Sequence, residues 1–197
     1  GGIVNKIAQY FDERADGWET SGNCERNRVQ GAVLSLACVQ EGDRVLDLGC
    51  GTGVMMPLYL EAKVASSTGV DLSPRMVACA REKFQGVDAV DFIVGDALDL
   101  DESRPYDAVV IYNAYPHFMD KPALVEKVYR LLKPGKRFVV AHGTGKDGIN
   151  RHHQAVAAGV SSGLRAVSVE SEVWRTRFDI EALVDTPAFY AFSGVRL

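Results

Sequence analysis

RVLDLGCGTG, residues 44–53, is where the period of the sequence changes. Val45, Leu46 and Leu48 make a short apolar run that ends on Gly49, the pattern of a strand buried within a parallel sheet. Gly49, Gly51 and Gly53, interleaved with a cysteine and a threonine, make a loop that lets a ligand approach the backbone closely.

Working outward, strands and helices alternate. The pattern predicts a helix over about 53–62 and a strand within SSTGVDLS (66–73). Ser73-Pro74 then starts a helix, serine as cap and proline at the first helical position, with Val77, Ala80 and Phe84 as its apolar face. AVDFIVGD (89–96) and YDAVVIYN (106–113) read as strands three and four. Asp120 is placed to cap a helix carrying Leu124, Val128 and Leu131, which Lys133-Pro134-Gly135 stops before strand five, RFVVAH (137–142). Upstream, Ile3, Ile7, Tyr10 and Phe11 share one helical face, and a second helix is expected over 23–40. Beyond a helix near 147–158, RFDIEALVD (177–185) and AFYAFSGVRL (188–197) are separated only by Thr186-Pro187. That gap is too short for a crossover, so the two runs are expected to form an antiparallel hairpin at one edge.

The fold class is therefore α/β: a Rossmann-like, doubly wound, mostly parallel seven-stranded sheet with a C-terminal antiparallel hairpin. One domain is expected over 1–197, with a helical cap (1–42), a ligand-binding core (43–142) and an acceptor side (143–197). The 197 residues are 47% hydrophobic and 24% charged, with a net charge of −4. Lys and Arg are scattered rather than clustered, which argues against nucleic acid as a partner. No apolar run is long enough for a bilayer and no signal pattern opens the chain, so a cytoplasmic protein without membrane contact is expected. The four cysteines include no C-x-x-C pair, which suggests reduced thiols and no zinc site.

In an open α/β sheet the ligand sits at the carboxyl ends of the strands. The polar residues fall there: Gly49, Gly51 and Gly53 after strand one, Asp71 after strand two, Asp96 after three, Asn113 after four and His142 after five. Asp71 is placed to accept from ribose hydroxyls, a feature shared by NAD-binding proteins. Two residues distinguish the cases. Val54 stands where the dinucleotide fingerprint wants Gly or Ala, and Asp47 would repel a pyrophosphate yet suit an ammonium group.

VLDLGCGTG resembles motif I of the class I S-adenosylmethionine-dependent methyltransferases, and GVDLSPRMV and VGDALDL resemble the two motifs that follow. YDAVVIYNAYPHF and LLKPGKRFVV are similar to the fourth and fifth, and YFDERADGWE (10–19) resembles the N-terminal segment of the UbiE-like, type 11 branch. The resemblance implies S-adenosylmethionine as cofactor and methyl transfer to a small molecule. It implies that Asp47 and the loop Gly49, Cys50, Gly51 and Gly53 face the methionine end, and that Asp71 meets the ribose. Leu72 would flank the adenine, Asp96 and Ala97 would meet its amino group, Asn113 would line the floor below the methyl group, and Tyr10 would close over the cofactor.

Plainer roles stand beside these. Asp47 caps loop amides, Asp96 opens a turn, Cys50 fills space, and Tyr10 and Phe11 are helix core. Tyr112, Tyr115, Phe118 and Trp174 form either an aromatic acceptor pocket or core. The four histidines, 117, 142, 152 and 153, all lie after strands four and five. His142, His153 and His117 are the candidates for a general base; GINRHHQ resembles a type 11 segment that turns His153 inward. No carboxylate or cysteine spacing supports a metal. NAYPHF is similar to the N-P-P-Y signature of amino-group methyltransferases, but alanine replaces the first proline and the Tyr-Pro order is reversed. The rival readings are a cofactor-binding protein without transfer activity and a Rossmann-type oxidoreductase.

Overall fold

The computed structural model describes residues 2–15, 24–156 and 162–197. In chain order the elements are α1 (Gly2–Asp12), α2 (Cys24–Leu36), β1 (Arg44–Leu48), α3 (Met56–Glu61), β2 (Ser66–Asp71), α4 (Pro74–Lys83) and β3 (Val90–Val94). Then come β4 (Tyr106–Tyr112), α5 (Lys121–Leu131), β5 (Leu132–His142), α6 (Lys146–Val156), α7 (Val167–Glu170), β6 (Phe178–Asp185) and β7 (Tyr190–Arg196). Short 3-10 turns lie at Ala97–Asp99, Tyr115–His117 and Trp174–Thr176.

The seven strands form one sheet in the order β3-β2-β1-β4-β5-β7-β6. β1 to β5 pair in parallel, and β7 runs antiparallel to both β5 and β6. The patterning of the last two strands fixes which lies inside. The first five residues of β7 are all buried, whereas β6 alternates in and out and takes the edge.

Helices cover both faces because the parallel strands are apolar on both. One layer packs Leu46, Ile111, Phe138 and Val140 against α5, where Leu124, Val128 and Leu131 are fully buried. Phe138 stacks on Trp174 at 4.0 Å between centroids. The other layer packs Val45, Val110 and Ala141 against Val33, Tyr59 and Val77 from α2, α3 and α4. Both predicted caps are present: Ser73 Oγ accepts from the Met76 amide (3.1 Å) and Asp120 Oδ1 from Ala123 (2.9 Å).

Three boundaries differ from expectation. β5 begins at Leu132, because Leu132 pairs with Tyr106 of β4 ahead of a register shift, so the Lys-Pro-Gly run belongs to the strand. α3 starts only at Met56, since Gly51 and Gly53 both hold the left-handed region (φ +54° and +83°) and delay the helix. The turn before β7 is longer than two residues: the Thr186 amide donates to the Phe189 carbonyl, and Tyr190 is the first strand residue.

Candidate functional site

The strand order reverses between β1 and β4, so the chain leaves the carboxyl ends of these neighbours in opposite directions and opens a crevice. A cavity of about 380 Å³ lies there. Its walls come from the glycine loop after β1, the ends of β2 and β3, residues 112–114 and 117–120 at and beyond the end of β4, and α1.

The glycine loop is shaped by close packing. Gly49 has φ +75°, and a Cβ on it would lie 2.4 Å from Cβ of Ala114. A Cβ on Gly53 (φ +83°) would lie 2.8 Å from the Phe84 ring, and Gly53 is not part of the cavity wall. Gly49, Cys50 and Gly51 are. Four of the loop's amides are already engaged within the protein. Gly49 and Cys50 both donate to the Val70 carbonyl (2.8 and 3.1 Å), Gly51 donates to Asp71 Oδ2 (2.9 Å) and Gly53 to the Cys50 carbonyl (2.9 Å). A phosphate-binding loop needs such amides turned toward the ligand. This one turns them inward.

Two acids stand beside it. Asp47 is 1% exposed; its Oδ2 accepts from the Tyr59 hydroxyl at 3.3 Å, and its Oδ1 has no partner. Burial raises its carboxyl to about 7, with the Tyr59 hydrogen bond pulling down and the charge of Asp71 pushing up. Asp47 lies behind the cavity wall rather than on it. Asp71 is on the wall, and both its oxygens are in use: Oδ2 takes the Gly51 amide and Oδ1 the Ser73 amide, each at 2.9 Å. It therefore ties the glycine loop to the start of α4, structural work that its position in the sequence did not reveal. Its carboxyl is also raised by burial, against the lowering effect of those two amides. Cys50 is buried and its thiol is pushed well up by burial and by Asp47 and Asp71, which suits a space-filler and not a nucleophile.

Leu72, Asp96 and Ala97 all line the cavity, with Met76 and Val54 nearby. Asp96 Oδ1 accepts from the Leu98 amide at 2.9 Å, so it also opens the turn that follows β3.

α1 closes the cavity from above with Ile3, Val4, Ile7 and Phe11. Asp12 fastens the helix end to α4: its Oδ1 accepts from the Ser73 hydroxyl and from the Arg75 amide (3.1 Å). The expected role of Tyr10 as a cover is not supported by its position. Tyr10 is absent from the wall and carries the Arg14 guanidinium over its ring at 3.8 Å, while Phe11, one residue on, faces inward. Asp12 and Gln30, a buried α2 residue on the wall whose Nε2 reaches the Val54 carbonyl (3.5 Å), were both missed by sequence reasoning. A polar residue inside a helix carries no sequence signal for such a role.

After β4, Asn113 holds φ +56°, donates its amide to the Ala141 carbonyl and accepts the Gly143 amide on Oδ1, both at 2.9 Å. It lines the cavity, as do His117 and Phe118. His117 meets Phe11 edge-on at 4.8 Å, joining this segment to α1. His142 ends β5 as expected but is off the wall: it is buried and faces Tyr190 of β7, its register partner, at 6.0 Å. The side chains of His152 and His153 lie outside the described residues. Of the four aromatics considered, Tyr112 and Phe118 line the cavity, while Tyr115 and Trp174 are fully buried core, joined by a 3.2 Å hydrogen bond.

Comparison with known proteins gives a consistent result. Residues 45–135 match the family described as Methyltransferase domain. A demethylmenaquinone methyltransferase of Clavibacter sepedonicus is 30% identical over 142 residues, covering 68% of this chain and 57% of that one. Its counterpart from Thermus thermophilus is 37% identical over 112 residues, covering 55% and 50%. The chain thus spans about half the length of these curated relatives. Among solved structures, geranyl diphosphate C-methyltransferase from Streptomyces coelicolor, in complex with Mg2+, geranyl diphosphate and S-adenosyl-L-homocysteine, superposes with a TM-score of 0.78. It covers 100% of this chain and 99% of its own at 14% identity, a likeness of fold.

Proposed function

We propose that this chain, whose residues 45–135 match a methyltransferase domain, is a class I S-adenosylmethionine-dependent methyltransferase and transfers a methyl group from S-adenosylmethionine to a small-molecule acceptor by in-line displacement. The inward-turned amides of the glycine loop carry this reading. They offer nothing to a pyrophosphate, and the partnerless Oδ1 of buried Asp47 adds a negative field that favours a cationic, phosphate-free ligand. S-adenosylmethionine, when bound, supplies an activated methyl group on a sulfonium that leaves as a neutral thioether.

The residues on the wall divide the work. Asp71 has the remaining lone pairs of both carboxylate oxygens for ribose hydroxyls. Leu72, Asp96 and Ala97 hold the adenine, and Asp47 acts on the ammonium end through its charge. Asn113, fixed by two backbone hydrogen bonds, forms the floor where the acceptor meets the methyl group. Alignment of the acceptor contributes up to about 7–11 kcal/mol through effective molarity. His117 is the described histidine on the wall and takes the acceptor's proton; such a base adds about 10²–10⁴-fold.

Calorimetry tests the reading. S-adenosylhomocysteine should bind the purified chain and NAD should not. Asp71→Ala should weaken S-adenosylhomocysteine by at least about 1.5–3 kcal/mol, the worth of hydrogen bonds to a charged group. Binding of NAD alone would overturn the proposal.

A further inference from the structure

Apolar side chains from two segments line the cavity. Ile3, Ile7 and Phe11 face it from α1, and Phe118 and Met119 face it from the segment after β4. Ile3 and Met119 are also 50% and 43% exposed. Side chains that both line a cavity and meet solvent stand at its mouth, so the entrance is apolar as well as the interior.

Charge has a one-sided distribution. Among the described residues no lysine or arginine lines the cavity, whereas Asp71, Asp96 and Asp120 do. Lys121, next along the chain, is turned away: its ammonium donates to the carbonyls of Tyr115 (2.5 Å) and Phe118 (2.6 Å) and lies over the Tyr115 ring. A carboxylate or phosphate entering here would lose water and meet three aspartates but no lysine or arginine among the described residues. Resting on the methyl-transfer reading, we propose that the acceptor is an uncharged molecule with an apolar body, lodged between α1 and residues 117–119, and that anionic acceptors are excluded.

Two phenols that differ in one group test this. The probes are para-butylphenol and para-hydroxyphenylbutanoate, whose carboxylate replaces the terminal methyl, titrated into the chain saturated with S-adenosylhomocysteine. The neutral phenol should bind at least about 10-fold more tightly, the loss that an unpaired buried charge produces. Met119→Lys, which sets a cation at the mouth, should narrow or reverse that ratio. A tighter or equal carboxylate in the unmodified chain overturns the proposal, as does failure of both phenols to bind. Failure of S-adenosylhomocysteine itself to bind would remove the methyl-transfer reading, and this inference with it.

Discussion

Tyr59 of α3 donates its hydroxyl hydrogen to one oxygen of Asp47 at 3.3 Å, and the other oxygen of that carboxylate is buried without a partner. A half-satisfied acid beneath a glycine loop is costly to folding unless a cation offsets it.

That cost has a pH signature. Burial lifts Asp47 from 3.8 to about 7, so between those values the native state holds a proton that the unfolded chain has released. This group therefore makes stability fall as pH rises through that window, and the loss is complete above about 7. Asp47→Asn removes it. In thermal denaturation, the variant's advantage in Tm over the unmodified chain should grow between about pH 4 and 7 and level off above that. Affinity for S-adenosylhomocysteine should rise over the same range in the unmodified chain and stay level in the variant. A constant Tm difference would show that Asp47 is ionised throughout.

Gly49→Ala should be severe. The new Cβ would lie 2.4 Å from that of Ala114, in a residue held at φ +75°. Backbone strain of about 1–2 kcal/mol and overpacking of about 1–3 kcal/mol act together. Gly86→Ala, at φ +79° but with nothing within 4 Å, carries only the strain. Urea denaturation should separate the two by at least about 1 kcal/mol; equal losses would mean that the loop yields around Ala114.

Asp12→Ala removes the acceptor that holds α1 to the start of α4. Loss of a capping carboxylate costs about 0.5–2 kcal/mol. Most of that should appear as local opening of α1, read as faster proteolysis before residue 15 and weaker binding of S-adenosylhomocysteine. Unchanged proteolysis would show that the apolar contacts of Ile7 and Phe11 hold the helix alone.

The two described histidines should separate by phenotype. With an acceptor that turns over, His117→Ala should lower kcat by about 10²–10⁴-fold and erase the acidic limb of the pH profile. His142→Ala should lower Tm with little effect on kcat, because the ring is buried against Tyr190. The opposite result would move the base to β5.

The strand-helix alternation, the hairpin and the two caps were legible because each rests on local chemistry: buried apolar runs, a gap too short for a crossover, a serine or aspartate just before a helix with proline in its first turn. Facing was harder to read. Position 142 ends a strand, but alternation along β5 sends His142 to the side of Phe138 and Val140, where β7 supplies Tyr190. Tyr10 and Phe11 share a helical face, and only the attachment of Asp12 to Ser73 decides which of them looks into the cavity. The early start of β5 depends on pairing with Tyr106, 26 positions away in sequence, which no local pattern reports.

Ser73 lies where these attachments meet. Its amide donates to Asp71, its hydroxyl donates to Asp12, and the same hydroxyl oxygen accepts the Met76 amide. The covering helix and the acid proposed to grip the ribose therefore hang from one residue, as two arms from a single pivot. By the reciprocity of linked equilibria, a donor that steadies Asp71 also steadies the cover, and an acceptor seated under α1 tightens the hold on the donor.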